Sequence, residues 1–207
     1  EEYDGSSWSS GGAMITSRFY MGGDGTTSTQ LAAGGKGPTY ACSTTEAYNG
    51  TSWSTCANMG RRMCANSLVG DTTSALTFNG VNPPSDGDFH MEEYVGTCAS
   101  NINACANTWT AISGLLNNAG YRGGWGTVNA AGVAMGNNPS TARLTCTEEF
   151  DGSSWSNGGA MITARIAGAV ARSGTQDAGM IGGGQGPSAY ECQTVHLGQQ
   201  VVILILY

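Results

Sequence analysis

Short runs of small and apolar residues, closed by glycine, come in pairs along this chain. The first members are residues 19–23, 67–70, 120–124 and 166–170, and the second are 31–35, 75–80, 131–136 and 178–183. A proline-containing turn follows each pair, at Gly37-Pro38, Pro83-Pro84, Pro139 and Gly186-Pro187. In the first three repeats the chain then enters an acidic and aromatic segment that runs into tryptophan. Runs this short, bounded by Gly, Pro and Asn, read as strands rather than helices. Each repeat therefore predicts four short strands. Two are small and apolar, one follows the proline turn, and one ends at Trp.

The tryptophan segment fixes the period. Glu1-Glu2-Tyr3-Asp4-Gly5-Ser6-Ser7-Trp8 returns at Glu46 to Trp53 and at Glu148 to Trp155, and a stretched copy begins at Glu92 and reaches Trp109. The starts lie near residues 1, 46, 92 and 148, in steps of 45, 46 and 56. A period of roughly 40–50 residues marks a propeller or an array of supersecondary units. The longer step comes from ten extra residues between Gly96 and Trp109, read as a loop insertion within Thr97 to Asn107. Asp4-Gly5, Asn49-Gly50 and Asp151-Gly152 are turn dipeptides, because Asp, Asn and Gly tolerate positive φ. Asn49-Gly50-Thr51 also matches a glycosylation acceptor, but the Asp in its place in other repeats makes it first a turn. Trp8, Trp53, Trp109 and Trp155 are expected between neighbouring sheets.

The pattern resembles the kelch repeat of β-propellers. The residues that carry it are Gly34-Gly35 followed by Tyr48 and Trp53, with Gly182-Gly183 in the same place in the last copy. The aromatic-to-Trp spacing is one residue shorter than that family's, and the second and third copies lack the glycine pair. The run from Thr147 to Trp155 is also similar to kelch-type repeats of bacteriophage structural proteins, cyanophage ones especially. The resemblance implies an all-β fold: one domain over residues 1–207, a propeller of about four short four-stranded blades or part of a larger ring. Four blades is few for this family. In a closed ring the first strand would pair into the last blade and supply its missing Trp.

Composition narrows the function. The 207 residues include 33 glycines and only 11% charged residues, which suits strands and tight turns. The net charge is −7 with eight Lys and Arg, so no basic surface for nucleic acid is expected. No run is apolar and long enough to cross a membrane. The chain starts inside a repeat, as a processed product or part of a longer chain would. The apolar tail from Val201 to Tyr207 is expected as a buried or intermolecular strand. Seven cysteines lack CxxC or Cys-His spacing, so zinc is not expected. Cys98–Cys105 is the foremost disulfide candidate and Cys56–Cys64 the second, whereas Cys42, Cys146 and Cys192 read as small buried hydrophobes.

Candidate chemistry is sparse. Arg18, Arg62 and Arg165 hold similar places in three repeats and are candidates to line one rim and bind a carboxylate or sugar; pairing with nearby glutamates is the structural alternative. The pairs Glu1-Glu2, Glu92-Glu93 and Glu148-Glu149 read as solvated strand faces. Asp24-Gly25 and Asp86-Gly87-Asp88 read as turns rather than cation sites, and His90 and His196 are isolated. Asp4-Gly5-Ser6-Ser7-Trp8 resembles the Asp box of sialidases, but no nucleophilic Tyr with an arginine cluster can be assembled. No catalytic residue, metal or cofactor is expected. The leading expectation is a non-enzymatic structural or adhesive module of a virion or extracellular assembly. It would be oligomeric and bind protein subunits or carbohydrate. The alternatives are a sialidase-like glycan-processing enzyme and a self-assembling structural subunit.

Overall fold

The computed structural model describes residues 1–78, 80–81, 90–97, 106–140, 142–171, 175–187 and 194–197. Among them there is no helix, and every strand pairing is antiparallel. The chain opens with a hairpin, β1 (Glu2–Tyr3) and β2 (Trp8–Ser9). The first four-stranded sheet is β3 (Gly22–Gly25), β4 (Gln30–Ala33), β5 (Thr45–Tyr48) and β6 (Trp53–Thr55). The second is β7 (Ser67–Gly70), β8 (Ser74–Phe78), β9 (Met91–Thr97) and β10 (Ala106–Ala111). The third is β11 (Gly123–Thr127), β12 (Ala130–Ala134), β13 (Thr147–Phe150) and β14 (Trp155–Asn157). The last has, among the described residues, three strands, β15 (Ala169–Ala171), β16 (Gly179–Gly182) and β17 (Thr194–Leu197).

Each sheet is a meander whose strands pair in chain order. The innermost strands pack on one another in succession, β3 on β7, β7 on β11 and β11 on β15. The result is an all-β, propeller-like row of sheets, as the repeat predicts. β1 pairs only with β2 among the described residues, so the expected closure of a ring by the first strand is not seen.

The turns form for a chemical reason. The Oδ1 atoms of Asp4, Asn49 and Asp151 each accept the backbone N–H groups two and three residues on, at 2.8–3.0 Å. Gly5, Gly50 and Gly152 follow with φ of 98°, 88° and 94°, in the left-handed region open to glycine. The turn then delivers an aromatic residue opposite Trp in every copy: Tyr3–Trp8, Tyr48–Trp53, Tyr94–Trp109 and Phe150–Trp155. Their ring centroids lie 5.0–5.2 Å apart. The ten-residue insertion leaves this register intact, because β9 and β10 extend outward as paired strands to Thr97 and Ala106.

The core lies between sheets. Leu31, Met59, Met63, Leu68 and Tyr94 fill the first gap, with Trp109 packed against them. Val69, Phe78, Met91, Val133, Phe150 and Trp155 fill the second. Trp125, Met135, Met161 and Ile181 fill the third, with Val170 beside them. Each large apolar side chain buried this way stabilises the fold by about 1.5–3 kcal/mol. Trp8 departs from expectation. It is 69% exposed, because no preceding sheet stands against the hairpin.

The glycine pairs shift by one place in the last copy. Gly34 and Gly35 have φ of 70° and 100°, and their counterparts are Gly183 and Gly184 at 65° and 106°, rather than Gly182-Gly183. Met135 takes the first of these places in the third sheet at φ 68°, followed by Gly136. Cys56 and Cys64 do not bridge each other, which corrects the second disulfide candidate, and Cys42 and Cys146 are half-buried thiols. Cys98, Cys105, Cys192, Glu191, the Pro83-Pro84 turn, Asp86-Gly87-Asp88 and the apolar tail lie outside the described residues.

Candidate functional site: the loop end of the row

Antiparallel meanders place alternate connections at opposite ends, and here the two ends differ. One end holds tight hairpins, such as Thr26 to Thr29, Asn49 to Ser52 and Asp151 to Ser154. The other holds the long connections, including residues 10–21, 34–44, 56–66 and 135–146. Loops carried on a rigid frame are where binding groups concentrate.

A repeated carboxylate staples these loops. Glu46, Glu92 and Glu148 stand on the third strand of their sheets, fully buried. Glu46 accepts the backbone N–H of Ile15 and Thr16 at 2.9 and 3.1 Å. Glu92 accepts those of Gly60 and Arg61 at 2.7 and 3.1 Å, and Glu148 those of Leu116 and Asn117 at 2.6 and 3.2 Å. Each also takes a cationic or basic partner: Arg18 on Glu46, His90 on Glu92 at 2.7 Å, and Arg122 on Glu148 at 2.6 Å. Burial pushes the Glu46 and Glu92 carboxyls up. The hydrogen bonds from Arg18 and Ile15, and from His90 and Gly60, outweigh it and hold both below the usual glutamate value. The expectation of solvated strand faces is thus corrected for Glu92 and Glu148. One member of each pair turns inward, while Glu93 and Glu149 are half-buried.

The arginines follow from this. Arg18 is buried on Glu46 and on the Ala32 carbonyl. Arg165 is fully buried and donates to the Gly183 carbonyl at 3.0 Å. Arg62 alone of the three is exposed. It lines a cavity of about 320 Å³ with Pro38, Tyr40, Cys42 and Thr44. Arg122, which the sequence pattern did not single out, is the third sheet's buried cation. It sits three residues further along the loop than Arg18 does in its own repeat, so no common offset marks it.

The loop end is also aromatic. Phe19, Tyr20, Tyr40 and Tyr121 are exposed there. Just before each inner strand, Tyr20, Ala65, Tyr121 and Ala167 adopt left-handed φ of 54–58°, a costly state for residues with a Cβ. Hydrogen bonds hold the loops in that state. Phe19 and Lys36 exchange two backbone bonds, as do Cys64 and Val81, Gly120 and Asn137, and Ile166 and Gln185. The N–H of Ala65 also donates to the Tyr20 carbonyl at 2.7 Å, tying one repeat's loop to the next.

The turn end is committed to structure. Its cavity of about 420 Å³ is lined by Asp24, Asp71, Thr73, Gly126 and Val128. Asp24 accepts the N–H groups of Gly25 and Gly70 at 2.9 and 3.0 Å. Asp71 accepts those of Thr73 and Ser74. Among the described residues no group of three or more His, Cys, Asp or Glu is placed to hold a metal ion. No helix among them is long and apolar enough to cross a membrane.

No protein-family profile matches the chain, and no curated protein matches it in sequence. Among solved structures, that of YjhT is similar, with a TM-score of 0.62 at 11% identity. The likeness covers 77% of this chain and 50% of that one, so the chain spans about half the length of YjhT. At this identity the likeness is one of fold.

Proposed function

We propose that the chain is a non-enzymatic adhesive module of a virion or extracellular assembly, and that its loop end makes the contact. The observation that carries this is the division of side chains between the two roles. The repeat carboxylates and two of the three candidate arginines are spent on holding loops. The same loops turn Phe19, Tyr20, Tyr40, Tyr121 and Arg62 to solvent on a hydrogen-bonded backbone. Tyrosine rings offer an apolar face and a polar edge, and a guanidinium offers directed donors, which together suit a sugar ring bearing hydroxyl or carboxylate groups.

The test is a glycan array of neutral and sialylated oligosaccharides, probed with the chain and with Tyr20→Ala and Tyr40→Ala. Binding that either variant abolishes at unchanged melting temperature supports the reading. An array without hits, hits indifferent to both substitutions, or hydrolysis of the bound glycans overturns it.

A further inference from the structure

One departure from the repeat puts a cation where the frame does not need it. Each loop closes on a backbone bridge just before its inner strand: Phe19 with Lys36, Cys64 with Val81, Gly120 with Asn137, and Ile166 with Gln185. In this register Arg18 and Arg165 stand one residue ahead of their bridges, and both are buried. The second repeat fills that buried place with Met63, and its cation falls one residue earlier, at the exposed Arg62. The counterparts of Arg62 are Ser17, Asn118 and Ala164, none of them charged. Three repeats therefore build the same loop without a cation at this place.

The backbone on either side of Arg62 is fixed. Glu92 holds the Arg61 N–H at 3.1 Å, and the Met63 N–H donates to the Cys42 carbonyl at 3.1 Å. The second bond ties this segment to the proline turn of the first repeat, where the Gly37 N–H donates to the Tyr40 carbonyl at 3.0 Å. Turn and segment together line the cavity of about 320 Å³. Arg62 is the one charged residue among the described residues of its wall. Thr39, Ser43 and Thr44 bring hydroxyl groups to that wall, and Pro38 and Tyr40 bring rings. The third repeat is built differently at the matching turn. Asn137 pairs with Arg143 as Lys36 pairs with Ala41, so Arg143 and Leu144 replace Ala41 and Cys42. Arg143 is spent on the Gln185 carbonyl at 3.0 Å. In the first repeat the two smaller side chains leave room, and the cation comes from the neighbouring repeat.

We propose that this cavity is the subsite for one acidic sugar unit, a hexuronate. The carboxylate takes the Arg62 guanidinium, the C–H face of the ring lies on Tyr40 and Pro38, and the hydroxyls meet Thr39, Ser43 and Thr44. The cavity stands at the low end of the roughly 300–1,000 Å³ of ligand pockets, which suits a single ring. A phosphate is ordinarily met by several cations or a nest of backbone N–H groups, whereas one guanidinium among hydroxyls matches a carboxylate on a polyol. The inference rests on the reading of the loop end as a glycan-binding face and names what that face selects.

The test is an array of uronate-terminated oligosaccharides, each beside its carboxyl-reduced neutral counterpart, with sialylated and sulfated glycans alongside and affinities measured by titration of the hits. Uronate-terminated glycans should bind about tenfold more tightly than their reduced counterparts, as a charge-assisted hydrogen bond provides. Arg62→Gln should erase that difference and leave the neutral glycans as before. Cys42→Leu, which brings the third repeat's side chain into the cavity, should weaken both. Both variants should keep the parent's melting temperature, because Arg62 is exposed and leucine is native at the matching place, Leu144. Neutral glycans bound as tightly as uronates overturn the inference and leave the glycan reading standing. A uronate preference that survives Arg62→Gln overturns it too, as does stronger binding of sialylated or sulfated glycans. An array without hits overturns the inference together with the reading it rests on.

Discussion

At the scale of the residue, the buried glutamates decide most. A carboxylate loses its hydration when buried and needs full compensation. Glu148 finds it in two backbone N–H groups, the Asn117 side chain and Arg122. Glu148→Ala would leave the buried Arg122 guanidinium without its carboxylate, holding only the Met135 carbonyl and Cys146 Sγ, and the Leu116 and Asn117 N–H groups without an acceptor. Such a variant should lose about 3–5 kcal/mol, read from its urea midpoint. The sequence showed the acidic pairs but not their roles. Neighbouring strand residues point to opposite faces, so two adjacent glutamates do not reveal which one turns inward. Their main partners are backbone N–H groups, which every residue but proline carries.

At the scale of the element, the strands and their order were legible. Turn chemistry at Asp4, Asn49 and Asp151 recurs with the period, and the aromatic-to-Trp pairing survives the insertion before Trp109. What falls outside the period was missed. Trp125 is 1% exposed, the largest fully buried side chain among the described residues, and donates to the Gln176 carbonyl at 3.1 Å. Its indole lies across Gly132 and Gly179, where any Cβ would stand well inside van der Waals contact with the ring. Yet Trp125 has no counterpart in other repeats, so repetition could not flag it. Trp125→Ala should cost about 3–5 kcal/mol. Gly179→Ala should also lower the melting temperature, by forcing the indole from its seat, although it adds only one methyl group. A Gly179→Ala chain that melts as the parent does would show that the ring has room to move.

At the scale of the whole molecule, acid response follows from the shared carboxylate design. Glu46 and Glu92 titrate below the ordinary glutamate value of 4.5 when folded. Asp4 and Asp151 are lowered to about 2 by N–H bonds from their turns. A depressed folded pKa gives stability that is present above the unfolded value and is lost as pH falls through the folded one. Melting temperature should therefore hold near neutrality and drop steadily below about pH 4.5, and Glu46→Gln should flatten that drop. A profile that is flat down to pH 2 would refute this. The general plan of sheets in a row was readable from the period. Closure was not, because the repeat specifies how each sheet pairs and packs on its neighbour but not how many sheets stand in the row.

The staples have a further consequence, for synthesis. Each glutamate binds the loop that leads into its own sheet, about thirty residues upstream, rather than a segment yet to be made. A nascent chain can therefore lock one repeat as soon as that repeat's third strand leaves the ribosome. Maturation would proceed from the amino terminus in steps, each finished unit serving as a template against which the next one sets.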